Sequence, residues 1–203
     1  MSNKPIIVFE GIEGSGKSHH ITVVSRYLTK KKVNHIKIRE PGGNPNSEKI
    51  RKLILNNKSS FNQNTDLLLY MAARSENIQI LKKNYKKKII LIDRFTDSTI
   101  AYQHFGMKIN LNIIKLLNKF IIGNFKADIT FLSTVNNNNL KSRLNKRLKL
   151  NRYDKFKLNF YNKVQKGYYK LSNKNKKYII IDSNKKTVRD VKKIIINKIE
   201  KII

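Results

Sequence analysis

The sequence predicts an α/β protein whose parallel five-stranded sheet carries helices on both faces. Three observations predict it. Five short apolar runs, at 6–9, 35–38, 88–92, 129–132 and 178–181, read as strands. Stretches of helical spacing separate them, and strands alternating with helices form parallel sheets. A glycine-rich loop sits between the first run and the first helical stretch, where a phosphate-binding turn belongs.

In chain order, Ile6-Ile7-Val8-Phe9 reads as a buried strand. Gly11-Ile12-Glu13-Gly14-Ser15-Gly16-Lys17-Ser18 then fits the pattern G-x-x-x-x-G-K-[ST], and Ile21, Val24 and Leu28 follow at helical spacing. The glycines let the backbone curl so that successive N–H groups point inward at phosphate oxygens, and the helix N-terminus adds its positive end. Lys17 reaches the β- and γ-phosphates in such a loop, and the Ser18 hydroxyl holds Mg²⁺. The sheet is therefore of the P-loop NTPase type. The second strand, 35–38, ends at Arg39-Glu40-Pro41-Gly42-Gly43, and the third, 88–92, ends at Asp93-Arg94. Helical patterns run over 66–82, 109–122, 140–148, 155–171 and 187–203, with polar loops at 136–139 and 173–177. Ligands of such sheets bind at the carboxyl ends of the strands, so the three strand ends should share one rim. With no internal repeat and no inter-domain linker, residues 1–203 read as one domain.

The 203 residues are enough to bury a sizeable core. There is no cysteine, which excludes disulfides and thiolate metal sites. No apolar stretch is long enough to span a bilayer, and Lys4 and Pro5 precede a short strand rather than a signal core, so a cytoplasmic location with no membrane partner is expected. Lys and Arg number 44 against 13 Asp and Glu, a formal charge of +31. The lysines are spread along the chain among many Asn and Ile. That pattern fits drift toward A/T-rich codons better than a built nucleic-acid face, so no dedicated nucleic-acid partner is expected, although anionic nucleotides are attracted.

The rim carries the chemistry. An Asp ending an apolar strand, Asp93, can order water on Mg²⁺ opposite Ser18. Arg94 beside it can clamp a transferred phosphate bidentately. Glu10, between strand and loop, is unfavourable facing phosphate unless it serves a metal shell or a ligand hydroxyl. Tyr70 and Arg74 stand at i and i+4, so they share a helix face; an aromatic plane beside a guanidinium suits a nucleobase, but by themselves they read more readily as a core tyrosine with a surface arginine. Arg143, Arg147 and Arg152 follow the fourth strand, with Arg143 and Arg147 one turn apart. They read either as a solvated face or as a mobile segment that brings charge over a triphosphate.

Taken together, these residues resemble bacterial thymidylate kinase. The resemblance rests on Phe9-Glu10-Gly11-Ile12-Glu13-Gly14-Ser15-Gly16-Lys17-Ser18, Arg39-Glu40-Pro41-Gly42-Gly43, Tyr70-Met71-Ala72-Ala73-Arg74, Asp93-Arg94-Phe95, Ser98-Thr99-Ile100-Ala101-Tyr102-Gln103 and Arg152-Tyr153-Asp154. It implies transfer of the γ-phosphoryl group of ATP to dTMP with Mg²⁺, and a homodimer. It implies ATP contacts from Gly11, Ile12, Glu13, Gly14, Ser15, Gly16, Lys17, Ser18 and Arg143, with Ser18 and Asp93 on the metal. For dTMP it implies Arg39, Arg51 and Arg94 on the monophosphate, Tyr70 stacked on thymine, Arg74, Thr99 and Gln103 at the base edge, Tyr102 against the deoxyribose and Glu10 near the sugar hydroxyl. Glu13 stands in the loop where one group of the family has an arginine, which implies the group that uses lid arginines. The lid is then about 143–155 and Arg147 the best candidate, so that Lys17, Arg94, Glu10 and Arg147 are the catalytic set. Tyr70 replaces the usual Phe, and Asn151 and Asp154 stand where Asp and Glu are commoner.

Overall fold

The computed structural model describes residues 4–184 and 186–203; residues 1–3 and 185, inside the expected domain, lie outside the described residues. Five strands, β1 (Ile6–Glu10), β2 (His35–Arg39), β3 (Ile89–Asp93), β4 (Ile129–Thr134) and β5 (Tyr178–Asp182), form one sheet in the order β2-β3-β1-β4-β5. Every pairing is parallel, with Phe9 opposite Asp93 and Glu10 opposite Leu132. All five predicted strands are present, and each runs one or two residues further at its carboxyl end. Those extra residues, among them Glu10, Arg39 and Asp93, are polar rim positions.

Alternation along the strands decides which helices each rim residue meets. Ile7, Phe9, Ile89 and Leu91 pack with Ile21, Val24 and Leu28 of α1 (Lys17–Lys30) and with Val191, Ile195 and Ile199 of α8 (Val188–Ile199). Ile6, Val8, Ile90 and Ile92 face the opposite layer, where Ile78 and Leu81 of α3 (Gln63–Asn84) lie. Continuing the count by two, Asp93 falls on the α1 side and Glu10 on the other. Those positions give them different partners.

Two helices appear that the periodicity reading did not include. α2 (Pro45–Leu55) starts at Asn44, whose side chain accepts the Ser47 N–H, with Pro45 in the first turn. α4 (Thr96–Thr99) runs directly into a π-helical turn, Ile100–Gly106, where Tyr102 and Gln103 sit. Such wide turns cluster at functional sites. α5 (Leu111–Ile122) begins two residues later than expected because Asn110 caps it. The stretch 136–139 is not a loop: Asn136 caps α6 (Asn137–Asn145) and its three successors form the first turn. α6 stops three residues before the expected 148, since Leu148 is fully exposed and has no core to hold a further turn. A 3-10 turn, Arg152–Lys155, with a capping box between Asn151 and Asp154, precedes α7 (Leu158–Ser172), which therefore starts after 155. α8 ends at Ile199 rather than 203.

Candidate functional site

The first wall of the site is the loop from β1 to α1. A Cβ on Gly11 would lie 2.2 Å from the Ser133 carbonyl oxygen, and Gly11 has φ +137°, so no side chain fits there. Ile12 buries its side chain in the core, so only its backbone serves the loop; the carbonyl accepts from Ser15 Oγ (2.8 Å) and Lys17 Nζ (3.0 Å). The Ser15 hydroxyl is thereby turned inward. Gly16 caps α1 without any side-chain acceptor, which leaves the first-turn N–H groups for an anion. Burial, then the Arg94 charge, pull Lys17 down to about 8.

Ser18 donates to Asp93 Oδ2 at 3.1 Å, which joins the two residues expected to hold Mg²⁺. Their hydroxyl and carboxylate are the hard oxygen donors that Mg²⁺ prefers. Among the described residues there is no group of three or more His, Cys, Asp and Glu that could cage a metal, so protein ligation there is sparse. Sparse ligation suits an ion that keeps most of its waters or takes phosphate oxygens.

The second wall collects cations. Lys17, Arg39, Arg51, Arg94 and Arg147 border one cavity with Tyr70, Thr99, Tyr102 and Gln103. Arg94 has φ 67°, donates to Glu13 at 2.8 Å and lies over the Tyr102 ring, 5.0 Å from its centre. Arg39 is held bidentately by Glu48, and Arg51 donates to the Pro41 carbonyl at 2.6 Å. Burial, with the Arg39 charge next, depresses the Arg51 guanidinium. Cations that destabilise one another in a cavity create a field that a bound anion relieves.

Several expected roles change. Glu10 does not reach the cavity. It is fully buried and accepts from the backbone N–H groups of Phe95 (2.9 Å) and Ser98 (3.2 Å), from Ser98 Oγ and from Tyr168 Oη (3.0 Å). Burial, then Asp97, push it up to about 7. The strand parity that points it toward α4 and α7 is the reason, so no contact to sugar hydroxyl or metal is available to it here. Glu13, expected among the ATP contacts, directs its side chain away from the loop, where it accepts from Arg94 and the Tyr102 hydroxyl. The Tyr70–Arg74 pair is not a core tyrosine with a surface arginine: both residues border the cavity, and Arg74 is 2% exposed. Arg74 donates to Glu40 (2.7 Å), Asn118 (2.6 Å) and the Phe95 carbonyl (2.9 Å), so it ties the β2 loop to α5 and α4 while it lines the cavity. Arg143 and Arg147 do not share a helix face, because Arg147 lies beyond the end of α6. Arg143 bonds the carbonyls of Gly14 and Ser183, whereas Arg147 pairs with Asp154 at the cavity edge.

Thr99 Oγ1 is the one buried side-chain polar atom among the described residues with no partner, and Thr99 lines the cavity. Buried hydroxyls are ordinarily bonded, to protein or to water, so this one is free to bond a water or ligand atom in the cavity. Residues that pattern reading did not bring to the site include Tyr153, edge-on to Tyr70 at 5.8 Å, with Asp66, Asn118 and Tyr168 behind it. Only Tyr153 carried any signal, through its place in the Arg152-Tyr153-Asp154 block.

Known proteins resemble this chain in sequence and fold. The family pattern described as Thymidylate kinase matches residues 9–195. A thymidylate kinase of Kosmotoga olearia is 36% identical over 145 residues, 70% of each chain. One of Thermosipho africanus is 41% identical over 127 residues, 62% of this chain and 63% of that one. The crystal structure of thymidylate kinase from Ehrlichia chaffeensis superposes with a TM-score of 0.79 at 30% identity, covering 98% of this chain and all of the other.

Proposed function

This chain belongs to the thymidylate kinase family, and from that premise we propose how its site moves the γ-phosphoryl group of ATP to dTMP to give dTDP. The observation that carries the assignment of residues is the convergence of Lys17, Arg39, Arg51, Arg94 and Arg147 on one cavity beside the phosphate loop. One anion needs the loop and Lys17 alone; the arginines across from it serve a second phosphate.

Phosphoryl transfer asks little covalent work of a protein. It requires two anions in line and their charge offset. The loop amides, the α1 N-terminus and Lys17 seat the triphosphate. Arg39, Arg51 and Arg94 seat the acceptor phosphate, Arg94 being aimed by Glu13 and stacked on Tyr102. Tyr70 offers the base a flat face, and Thr99 and Gln103 offer polar atoms at its edge. Arg147, released from Asp154, supplies charge to the transferring group as residues 143–155 close over it. Ser18 and Asp93 would hold Mg²⁺, which when bound offsets the negative charge of the phosphates. Glu10 acts from beneath, by fixing the start of α4.

The protein is further read as one cytoplasmic domain that works as a homodimer. Among the described residues no helix is long and apolar enough to cross a membrane. Ile113, Leu116 and Phe120 expose one apolar stripe of α5, and Leu68 of α3 lies exposed on the helix that α5 packs against. Those helices follow β2 and β3, where the dimer contact is placed.

The test is ADP release from ATP and Mg²⁺ with dTMP, dUMP, CMP and thymidine offered in turn. dTMP is expected to be preferred. Turnover of another acceptor with dTMP inert would replace this assignment.

A further inference from the structure

Asp66 lies in the first turn of α3, 2% exposed, and a buried carboxylate there asks for an explanation. Both oxygens are taken. Oδ1 accepts from Arg152 Nη2 and Oδ2 accepts from the Tyr153 hydroxyl. Arg152 is itself anchored on the Ile54 carbonyl. The Tyr153 oxygen in turn lies 3.4 Å from Gln103 Nε2, inside the cavity that Tyr70 and Thr99 line.

The direction of each bond in this row follows from chemistry. An ionised carboxylate accepts only. The Tyr153 proton therefore points at Asp66, and burial, with Tyr70 and Asp66 beside it, pushes that phenol well above its ordinary range, so the proton stays. The Tyr153 oxygen then has only lone pairs to offer Gln103. An amide facing lone pairs must present its NH₂ to them, which turns the carbonyl Oε1 the other way.

We infer that Asp66 is a positioning residue for nucleobase selection, acting through Tyr153 to hold the Gln103 amide with its oxygen toward the acceptor base. This rests on the reading of the cavity as the acceptor-nucleotide site. An oxygen so placed matches a base whose ring nitrogen carries hydrogen between two carbonyls, as in thymine and uracil. It opposes the bare ring nitrogen of cytosine, whose lone pair meets the amide oxygen. Thr99 Oγ1, unpartnered beside it, can donate to a flanking carbonyl.

The row makes a directional prediction. In Asp66→Asn, Arg152 still needs an acceptor and takes the amide oxygen, so the new NH₂ faces Tyr153. The Tyr153 proton is then released toward Gln103, and the Gln103 amide turns over to present NH₂ to the base. Tyr153→Phe only removes the constraint and keeps the Asp66–Arg152 pair. The experiment uses the full chain and measures kcat/KM for dTMP and for dCMP by ADP release, with a thermal midpoint for each variant. The preference for dTMP should fall in the order wild type, Tyr153→Phe, Asp66→Asn, by about tenfold or more overall, since a mismatched buried hydrogen bond discriminates at least that strongly.

An equal preference in all three proteins, whatever the loss of stability, overturns the inference, as does loss in Tyr153→Phe with retention in Asp66→Asn. If Asp66→Asn fails to fold, the drop in Tyr153→Phe decides alone. Absence of dTMP turnover in the wild type would overturn the site reading as well, whereas normal wild-type turnover with unmoved ratios overturns only the role of Asp66.

Discussion

Replacing Lys17 by methionine should make the protein more stable while disabling it. Lys17 is buried under the phosphate loop, and two effects oppose its charge: loss of water and the Arg94 guanidinium. Asp93, Glu13 and Glu10 favour the charge but lose, since the net result is a fall from 10.5 to about 8. At 1.36 kcal/mol per pH unit that fall corresponds to about 3 kcal/mol of native-state penalty at pH 7. Methionine keeps the length of the stem and removes the charge. The Ile12 carbonyl that Lys17 bonds is left satisfied by Ser15 Oγ, so no buried acceptor is orphaned. A depressed folded value means that the stability it costs is recovered above the unfolded pKa and lost as pH falls through the folded one. The advantage of Lys17→Met should therefore be full at pH 7, shrink to about 1 kcal/mol near pH 9.5, and vanish above about pH 10.5. Urea denaturation of both proteins at pH 7 and 9.5 measures this, with a midpoint rise of about 1–1.5 M at pH 7 for an m-value near 2 kcal/mol/M. Turnover should drop by about a hundredfold or more, as for loss of a transition-state charge contact. A variant less stable than wild type at pH 7, or an advantage that does not change with pH, refutes the reasoning.

Arg94→Ala should lower kcat by about a hundredfold or more, and an unchanged steady-state kcat would remove Arg94 from the reaction. Glu10, pushed up to about 7, contributes stability that is complete below about 4.5 and lost as pH rises through 7. Relative to Glu10→Gln, wild type should therefore weaken by up to about 3 kcal/mol between pH 4.5 and 8, and parallel stability curves for the two proteins would contradict this. Phe120, 85% exposed on α5, anchors the apolar stripe assigned to the dimer, so Phe120→Lys should convert a dimer to a monomer in sedimentation without unfolding it. A variant that sediments like wild type would place the contact elsewhere.

How much of this was legible beforehand can be traced residue by residue. The phosphate loop is local: eight consecutive residues, a strand before and a helix after, and a φ at Gly11 that only glycine tolerates. The five strands were legible for the same reason, as were Ser18 and Asp93, whose positions follow from the loop and from a strand end. α2 was missed although Asn44-Pro45 marks its start, because an eleven-residue helix with a mostly polar sequence gives periodicity little to work on. α6 was drawn too long because Leu144 and Leu148 keep helical spacing, and spacing cannot tell that Leu148 has no core to enter.

The amino-acid order by itself located the glycine-rich loop between β1 and α1, and it did so because that motif is built from neighbours in the chain. Which groups line the cavity across from that loop was decided only in three dimensions. Arg74 meets Glu40 and Asn118 across 34 and 44 residues, and Tyr153 meets Asp66 across 87. The parity of β1 turned Glu10 away from the cavity and into the base of α4. A charge buried without water must be matched by whatever the fold brings beside it, and packing, not spacing, makes that choice.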